Sequence, residues 1–467
     1  MNRSAALAQI SDIVGRDGVV TGVDADAMLN DYRRLFEGEA ALIVRPASTA
    51  ECAAVVAICH ETGIGVVPQG GNTGYCGGAI PFDAENQILL NLSRMNAVRA
   101  IDNVGFTMTV DAGLVLRRAQ EIAATHELLF PLSMGSEGSC QIGGNLATNA
   151  GGISVLRYGT ARDLVLGLEV VLPNGEIVSE LKGLRKDNTG YDLKSLFVGA
   201  EGTLGIITAA ILKLFPAPRS RQVAWIATPD VESACDLLAT ARRESVDQVV
   251  SAEYVSRLSL DLVLEFIASA RDPLDERHDH YVLLELASAQ EESELRATLE
   301  RILQLGVRAG TVVDGVLAES GRQRDALWLL RETIPEAERH SGSSLKHDIS
   351  VRTSEIPSFI ASAEPVLDAI VSHRRSIFGH IGDGNLHFNL LPAVGVDAQP
   401  FPKDALSSAV YELVAERGGS FSAEHGIGVL KRPELERFKS SAALNAMRAI
   451  KAALDPNGIM NPGKVVG

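Results

Sequence analysis

The sequence predicts an α+β fold divided over more than one domain, and three observations predict it. Short β-type segments bounded by turn residues recur through the first two hundred positions, amphipathic helices between short strands fill the next two hundred, and two glycine-rich zones interrupt the first half. At 467 residues the chain also exceeds what one hydrophobic core usually serves, which favours two or three domains.

Taken in order, residues 41–44 (ALIV) read as a short buried strand. Ser48 with Glu51 forms a capping box, Cys52, Val55, Val56 and Cys59 follow at helical spacing, and Gly63 closes that helix. The strand 65–68 (GVVP) runs into the loop QGGNTGYCGG, and ILLNL at 88–92 reads as a further strand. A second glycine zone covers 133–152 (SMGSEGSCQIGGNLATNAGG). After it, LGLEVVLPNGEIV, with an Asn174, Gly175 hairpin turn, and GTLGIITAAILKLF are of β type.

Pro216 and Pro218 mark a change of composition, which places a domain boundary near residue 217. Beyond it, amphipathic helices are predicted at 231–243 and 291–305, and an apolar-faced helix carrying Arg331 at 326–340. A strand is predicted at 343–352, where alternation puts Lys346, Asp348, Ser350 and Arg352 on one face and His347 on the other. From 404 the tail returns to helix and carries PNGIMNPGK near its end. The predicted domains are therefore 1–217, 218–403 and 404–467.

Asp and Glu number 59 against 43 Lys and Arg, a net charge of −16 that repels phosphate backbones and anionic lipid, so nucleic acid is excluded as a partner. Any anionic substrate must then be gripped by local cations, for which Arg331 and Lys346 are the candidates, the competing reading being solvated surface residues. The five cysteines are odd in number and never spaced CxxC, which argues against a disulfide framework, a zinc ribbon or an iron–sulfur cluster and fits a reducing cytoplasm. Neither a secretory signal nor a membrane span is read in the chain, which is expected not to be integral to a membrane.

Clusters of Gly with Asn and Ser let successive backbone N–H groups converge into an anion-binding concavity suited to a pyrophosphate. A single such loop is more often a plain turn, but two share a GGN element here, at Gly70, Gly71, Asn72, Thr73, Gly74 and at Gly143, Gly144, Asn145 through Gly151, Gly152. The competing reading is a nicotinamide cofactor on a GxGxxG loop that opens a helix; the first loop reads GGxxGxxGG and leads to a strand. In the second half, FGHIGDGNLHFN (378–389) and SAEHGIG (422–428) carry His380, His387, Glu424 and His425. Two His and one carboxylate form a metal shell with open positions, while His425, adjacent to Glu424, points elsewhere and is placed to act as a base. The plainer reading is histidines that cap turns or satisfy core polar groups. The same motifs would also suit a metallohydrolase built on those three ligands, or a flavin-binding electron-transfer subunit.

With these motifs assembled, the chain resembles the FAD-linked oxidases of the vanillyl-alcohol oxidase type, in the D-2-hydroxyglutarate and D-lactate dehydrogenase branch. The resemblance runs nearly end to end through PQGGNTGYCGG, GGNLATNAGG with LRYGTARD, DNTGYDLKSLFVGAEGTLGIIT, GHIGDGNLHFN, AEHGIG and NPGK. It implies a PCMH-type two-subdomain FAD-binding domain plus a substrate domain with an antiparallel sheet and flanking helices, the tail completing the flavin and metal site. FAD would be held non-covalently by Pro68, Gly70, Gly71, Asn72, Thr73 and Gly74, and by Pro131, Ser133, Gly135, Ser136, Gly143, Gly144, Thr148, Asn149, Gly151 and Gly152. Glu201, Gly205, Ile206, Ile207 and Asn461 would line it as well. His380, His387 and Glu424 would bind a divalent metal, zinc before manganese, with His425 as base and Arg331, Lys346 and Asn389 gripping the substrate.

The expected reaction is oxidation of a D-2-hydroxy acid, D-2-hydroxyglutarate first and D-lactate or a glycolate-type acid second. A separate electron acceptor, an electron-transfer flavoprotein or a quinone, and a homodimer are expected as partners. Two departures from the family pattern stand out. Pro335 occupies the position, one turn after Arg331, where members acting on dicarboxylates can carry a hydroxyl. Arg352 stands where relatives often have proline, either to grip a distal carboxylate or to lie exposed.

Overall fold

The computed structural model describes residues 2–342, 344–394 and 401–466. The chain divides into two compact units: 1–152, 159–217 and 424–467 form the first, 153–158 and 218–423 the second.

In the first unit β1 (Glu39–Val44), β2 (Gly65–Gln69) and β3 (Phe82–Asn91) make a parallel sheet in the order β1-β3-β2. Parallel strands of one sheet require a crossover, supplied between β1 and β2 by the helix Thr49–Thr62. Ser48 accepts the Glu51 N–H at its start, and Gly63, at φ 69°, donates its N–H to the Cys59 carbonyl at its end. Cys52, Val55, Val56 and Cys59 are all buried, as their spacing predicts. β4 (Val98–Asp102), β5 (Thr107–Asp111), β7 (Val165–Val171), β8 (Ile177–Ser179) and β9 (Ile206–Lys213) form an antiparallel sheet in the order β4-β5-β9-β7-β8, while β6 (Leu128–Leu129) pairs with β10 (Phe215–Pro216). The Asn174, Gly175 turn joins β7 to β8, with Gly175 at φ 84°.

The second unit is built on a seven-stranded antiparallel sheet: β11 (Ser220–Thr228), β12 (Val249–Ser256), β13 (His280–Ser288), β14 (Asp314–Leu317), β15 (Asp348–Ser350), β16 (His373–His380) and β17 (Asn385–Pro392), in the order β14-β11-β13-β12-β16-β17-β15. Trp225, Tyr281, Leu283 and Phe378 of the sheet pack against Leu327, Trp328, Leu330 and Ile334 from the helices beside it. Among the described residues no helix is long and apolar enough to cross a membrane.

Three expectations change. The helix predicted over 326–340 is two helices, Gly321–Glu332 and Ile334–His340, because Pro335 lacks the N–H that would continue the first and favours the first turn of the second. The strand predicted over 343–352 is reduced to Asp348–Ser350; Ser343 lies outside the described residues. The stretch 404–423, with the helix Lys403–Glu416, belongs to the second unit, and the tail that joins the first begins at Glu424.

Candidate active site

Register within the second unit gathers the metal-type side chains. Phe378 of β16 stands opposite His387 of β17, so His380, two residues on, projects from the same face. The two imidazole centroids are 5.9 Å apart. Glu424 comes one residue after Ala423, whose N–H is donated to the Asp348 carbonyl beside this sheet. His380 and His387 thus each present a ring nitrogen on one face of this sheet, and Glu424 is the third ligand the sequence proposes. The set is two nitrogens and one oxygen, which suits zinc or manganese.

The same face holds Arg331 and Asn389, both buried, with the partly exposed Lys346 beside it. Arg331 Nε donates to Glu253 Oε2 at 2.7 Å, and its guanidinium lies 4.8 Å from the Phe378 ring centroid. Lys346 Nζ lies 3.2 Å from Glu338 Oε2, and Asn389 Nδ2 donates to both Glu338 oxygens at 3.0 Å. Both glutamates are fully buried. Each cation therefore carries its own carboxylate, as burial of an ionic group demands. Burial pushes the Glu253 carboxyl up, but the His380 and Arg331 charges outweigh it and hold it below the usual carboxylate range. Arg352 is exposed, its guanidinium 3.8 Å from Glu355, so it grips nothing at this face.

In the first unit the two glycine zones touch. A Cβ on Gly71 would stand 2.1 Å from the Ser139 carbonyl, and one on Gly152, at φ 110°, 2.1 Å from the Ser133 carbonyl, so neither position admits a side chain. Gly70 lies against Gln141 and Gly144, whereas Gly74, Gly135 and Gly144 themselves face open space. Three buried polar atoms here have no hydrogen-bond partner among the described residues: Gln141 Oε1, Asn145 Nδ2 and Asn461 Oδ1. Asn72, Asn149, Glu201 and Asn461 hold positive φ without being glycine, a conformation that costs energy and concentrates at ligand sites. Open backbone, orphaned polar atoms and strained residues together fit a dinucleotide cradle.

Several of the residues expected at a cofactor have side chains engaged within the protein. Ile206 and Ile207 are buried in β9 as core, Pro68 packs under Gly202, and Thr148 Oγ1 donates back to the Gly144 carbonyl. Glu201 accepts the N–H groups of Ile427 and Gly428 at 2.7 and 2.8 Å, which fixes the loop carrying Glu424 and His425. Asn461 Nδ2 donates to the Gly78 and Glu201 carbonyls and so ties the tail to the first loop. Glu424 accepts the Gly152 N–H at 2.8 Å, while the His425 ring meets Tyr75 edge-on with centroids 4.6 Å apart.

Sequence reasoning missed Glu253, Glu338 and Tyr75. The signal for Glu253 was a carboxylate inside the strand VVSAEYVS, in which seven of eight residues are buried; for Glu338, an acidic residue four positions after Ile334 on an apolar helix face. Tyr75 sat in plain view in the first glycine loop.

Residues 217–465 match the C-terminal domain of the FAD linked oxidases, and residues 40–180 match an FAD binding domain. The mitochondrial D-2-hydroxyglutarate dehydrogenase of Arabidopsis thaliana is 36% identical over 465 residues, 99% of this chain and 82% of that protein. That of Bos taurus is 39% identical over 443 residues, 93% of this chain and 78% of that protein. The D-2-hydroxyglutarate–pyruvate transhydrogenase of Saccharomyces cerevisiae is 35% identical, covering 99% of this chain and 94% of that protein. Among solved structures, p-cresol methylhydroxylase with substrate bound (TM-score 0.74, 16% identity, 99% and 96% coverage) and an alkyldihydroxyacetonephosphate synthase (0.74, 16%, 99% and 85%) share the fold. These names correct the expected cytoplasmic location, since the plant and bovine relatives are mitochondrial proteins. None of the five cysteines forms a disulfide among the described residues, and the lack of disulfides gives no address.

Proposed function

The chain belongs to the FAD-linked oxidases and is an FAD-linked oxidoreductase, and we propose on that premise that it oxidises D-2-hydroxyglutarate to 2-oxoglutarate with a divalent cation at His380, His387 and Glu424. The observation that carries the reading is the pair of imidazoles, His380 and His387, on one sheet face with centroids 5.9 Å apart. FAD, held without a covalent bond, and the cation, zinc before manganese, supply a two-electron acceptor and Lewis acidity respectively.

The chain's own residues do the rest. The backbone amides of the two glycine zones bind the pyrophosphate, with Gln141, Asn145 and Asn461 offering buried polar atoms to the rest of the dinucleotide. His425 takes the proton of the C2 hydroxyl; an imidazole serves because its unperturbed pKa lies close to neutral. Arg331 and Lys346 donate charge-assisted hydrogen bonds to carboxylate oxygens and Asn389 adds a neutral donor. Two cations, each aimed by a buried glutamate, match the two carboxylates of 2-hydroxyglutarate better than the single one of lactate, and the relatives' names point the same way.

The test is a panel of D- and L-2-hydroxyglutarate, D-lactate and D-malate, with an artificial dye as electron acceptor, on flavin-loaded protein. The D-2-hydroxyglutarate rate should exceed the others, and His425→Ala should lower kcat by about 10²- to 10⁴-fold with the flavin spectrum unchanged. Near-normal turnover of His425→Ala, or a clear preference for D-lactate, overturns the assignment it addresses.

A further inference from the structure

We propose that Glu253 is a positioning residue that serves the cation site and the carboxylate-binding arginine at once, so that one buried carboxylate sets the geometry of both. The inference rests on reading His380, His387 and Glu424 as metal ligands and names a residue outside that set.

Three features of the second unit carry it. Glu253 of β12 and His380 of β16 are directly opposed in the antiparallel ladder, which brings the two side chains together on one face. Both carboxylate oxygens are engaged: Oε1 lies 2.7 Å from His380 Nδ1 and accepts the Ser251 hydroxyl at 2.9 Å, and Oε2 accepts Arg331 Nε at 2.7 Å. Glu253 is also wholly shielded from solvent, so no bulk water can take over its role.

The consequences follow from donor and acceptor chemistry. An ionised carboxylate only accepts, so His380 Nδ1 must carry the proton, and Nε2 is then the nitrogen with a lone pair for a cation. A carboxylate behind a ligating imidazole fixes its tautomer and ring orientation and raises its basicity. On the other side, Glu253 occupies the Nε of Arg331 while the Phe378 ring, 4.8 Å from the guanidinium carbon, restrains its plane, which leaves the two Nη groups as donors for a substrate carboxylate. Losing the charge of Glu253 therefore disturbs both functions at once. A glutamate that merely filled space would tolerate the near-isosteric glutamine without affecting cation binding.

The experiment titrates zinc, and separately manganese, into chelator-stripped, flavin-loaded wild type, Glu253→Gln, Arg331→Gln and the double variant, by calorimetry, with flavin content and KM recorded alongside. Glu253→Gln should bind zinc about 10- to 100-fold more weakly and show a raised KM, and excess zinc should restore its kcat but not its KM. Arg331→Gln should raise KM while zinc affinity stays near that of wild type. The double variant removes the buried ion pair together, so it stays folded if the single variant does not, and its zinc affinity should fall as far. Wild-type zinc affinity in both Glu253 variants overturns the inference alone; a wild type that binds neither zinc nor manganese overturns it together with the metal reading.

Discussion

Lys464 places an ammonium group where no polar partner meets it among the described residues. The residue is fully buried, Nζ makes no hydrogen bond, and its one favourable contact is the face of Phe82, 4.8 Å from the ring centroid. Burial lowers its pKa from 10.5 to about 8, equivalent to a cost of roughly 3 kcal/mol at neutral pH. The folded value lies below the unfolded one, so below pH 8 both states are protonated and the whole cost is present. Between 8 and 10.5 the folded state releases its proton first and stability recovers. Lys464→Met should thus melt at a higher temperature than wild type at pH 7, and the gap should close as pH rises towards 10.5. A gap that is absent or reversed at pH 7 would mean that the ammonium has a stabilising partner. Glu253 shows the opposite case, a buried charge compensated on both sides. Neither environment could be read from sequence, because what surrounds a side chain depends on residues such as His380, 127 positions from Glu253.

At the scale of elements, the glycine zones separate two kinds of constraint. Gly71 is held by its neighbours, since a Cβ would strike the Ser139 carbonyl, whereas Gly144 lies in the helix Ile142–Ala147 with nothing within 4 Å of the added carbon. Alanine at Gly144 should leave the flavin-free protein as stable or up to about 1 kcal/mol more stable, from helix propensity, yet weaken FAD binding by intruding on the space the dinucleotide takes. Gly71→Ala should lower both the melting temperature and the flavin content. Thermal melts of flavin-free protein with FAD titrations decide it; Gly144→Ala binding FAD at wild-type strength would remove the cradle assignment. The elements most legible in the sequence were those with local signals, such as the Thr49–Thr62 helix with its Ser48 and Gly63 caps. The break at Thr333 was also legible, in Pro335, but the apolar periodicity on either side masked it. The strand at 348–350 is shorter than the alternation suggests, although Leu345 still bridges Leu390 of β17 in the same register.

Over the whole chain, the cradle and the histidine pair are built from different stretches. The glycine zones, Glu201 and Asn461 belong to the first unit, which the chain leaves at Ala217 and rejoins at Glu424, while His380 and His387 belong to the second. The change of composition at Pro216 and Pro218 exposed the departure, but no local signal marked the return, because Glu424 follows Ala423 within one continuous loop. Glu424 contacts the cradle through the Gly152 N–H at 2.8 Å, and that bond does not need the cation. Removing the proposed metal therefore leaves this tie to the cradle in place. Dialysis against a chelator should abolish D-2-hydroxyglutarate oxidation while the protein keeps its flavin absorbance, and zinc or manganese added back should restore the rate without added FAD. Flavin lost in step with activity would show instead that the cation holds the cofactor in place, and would remove the grounds for treating the two sites as separately assembled.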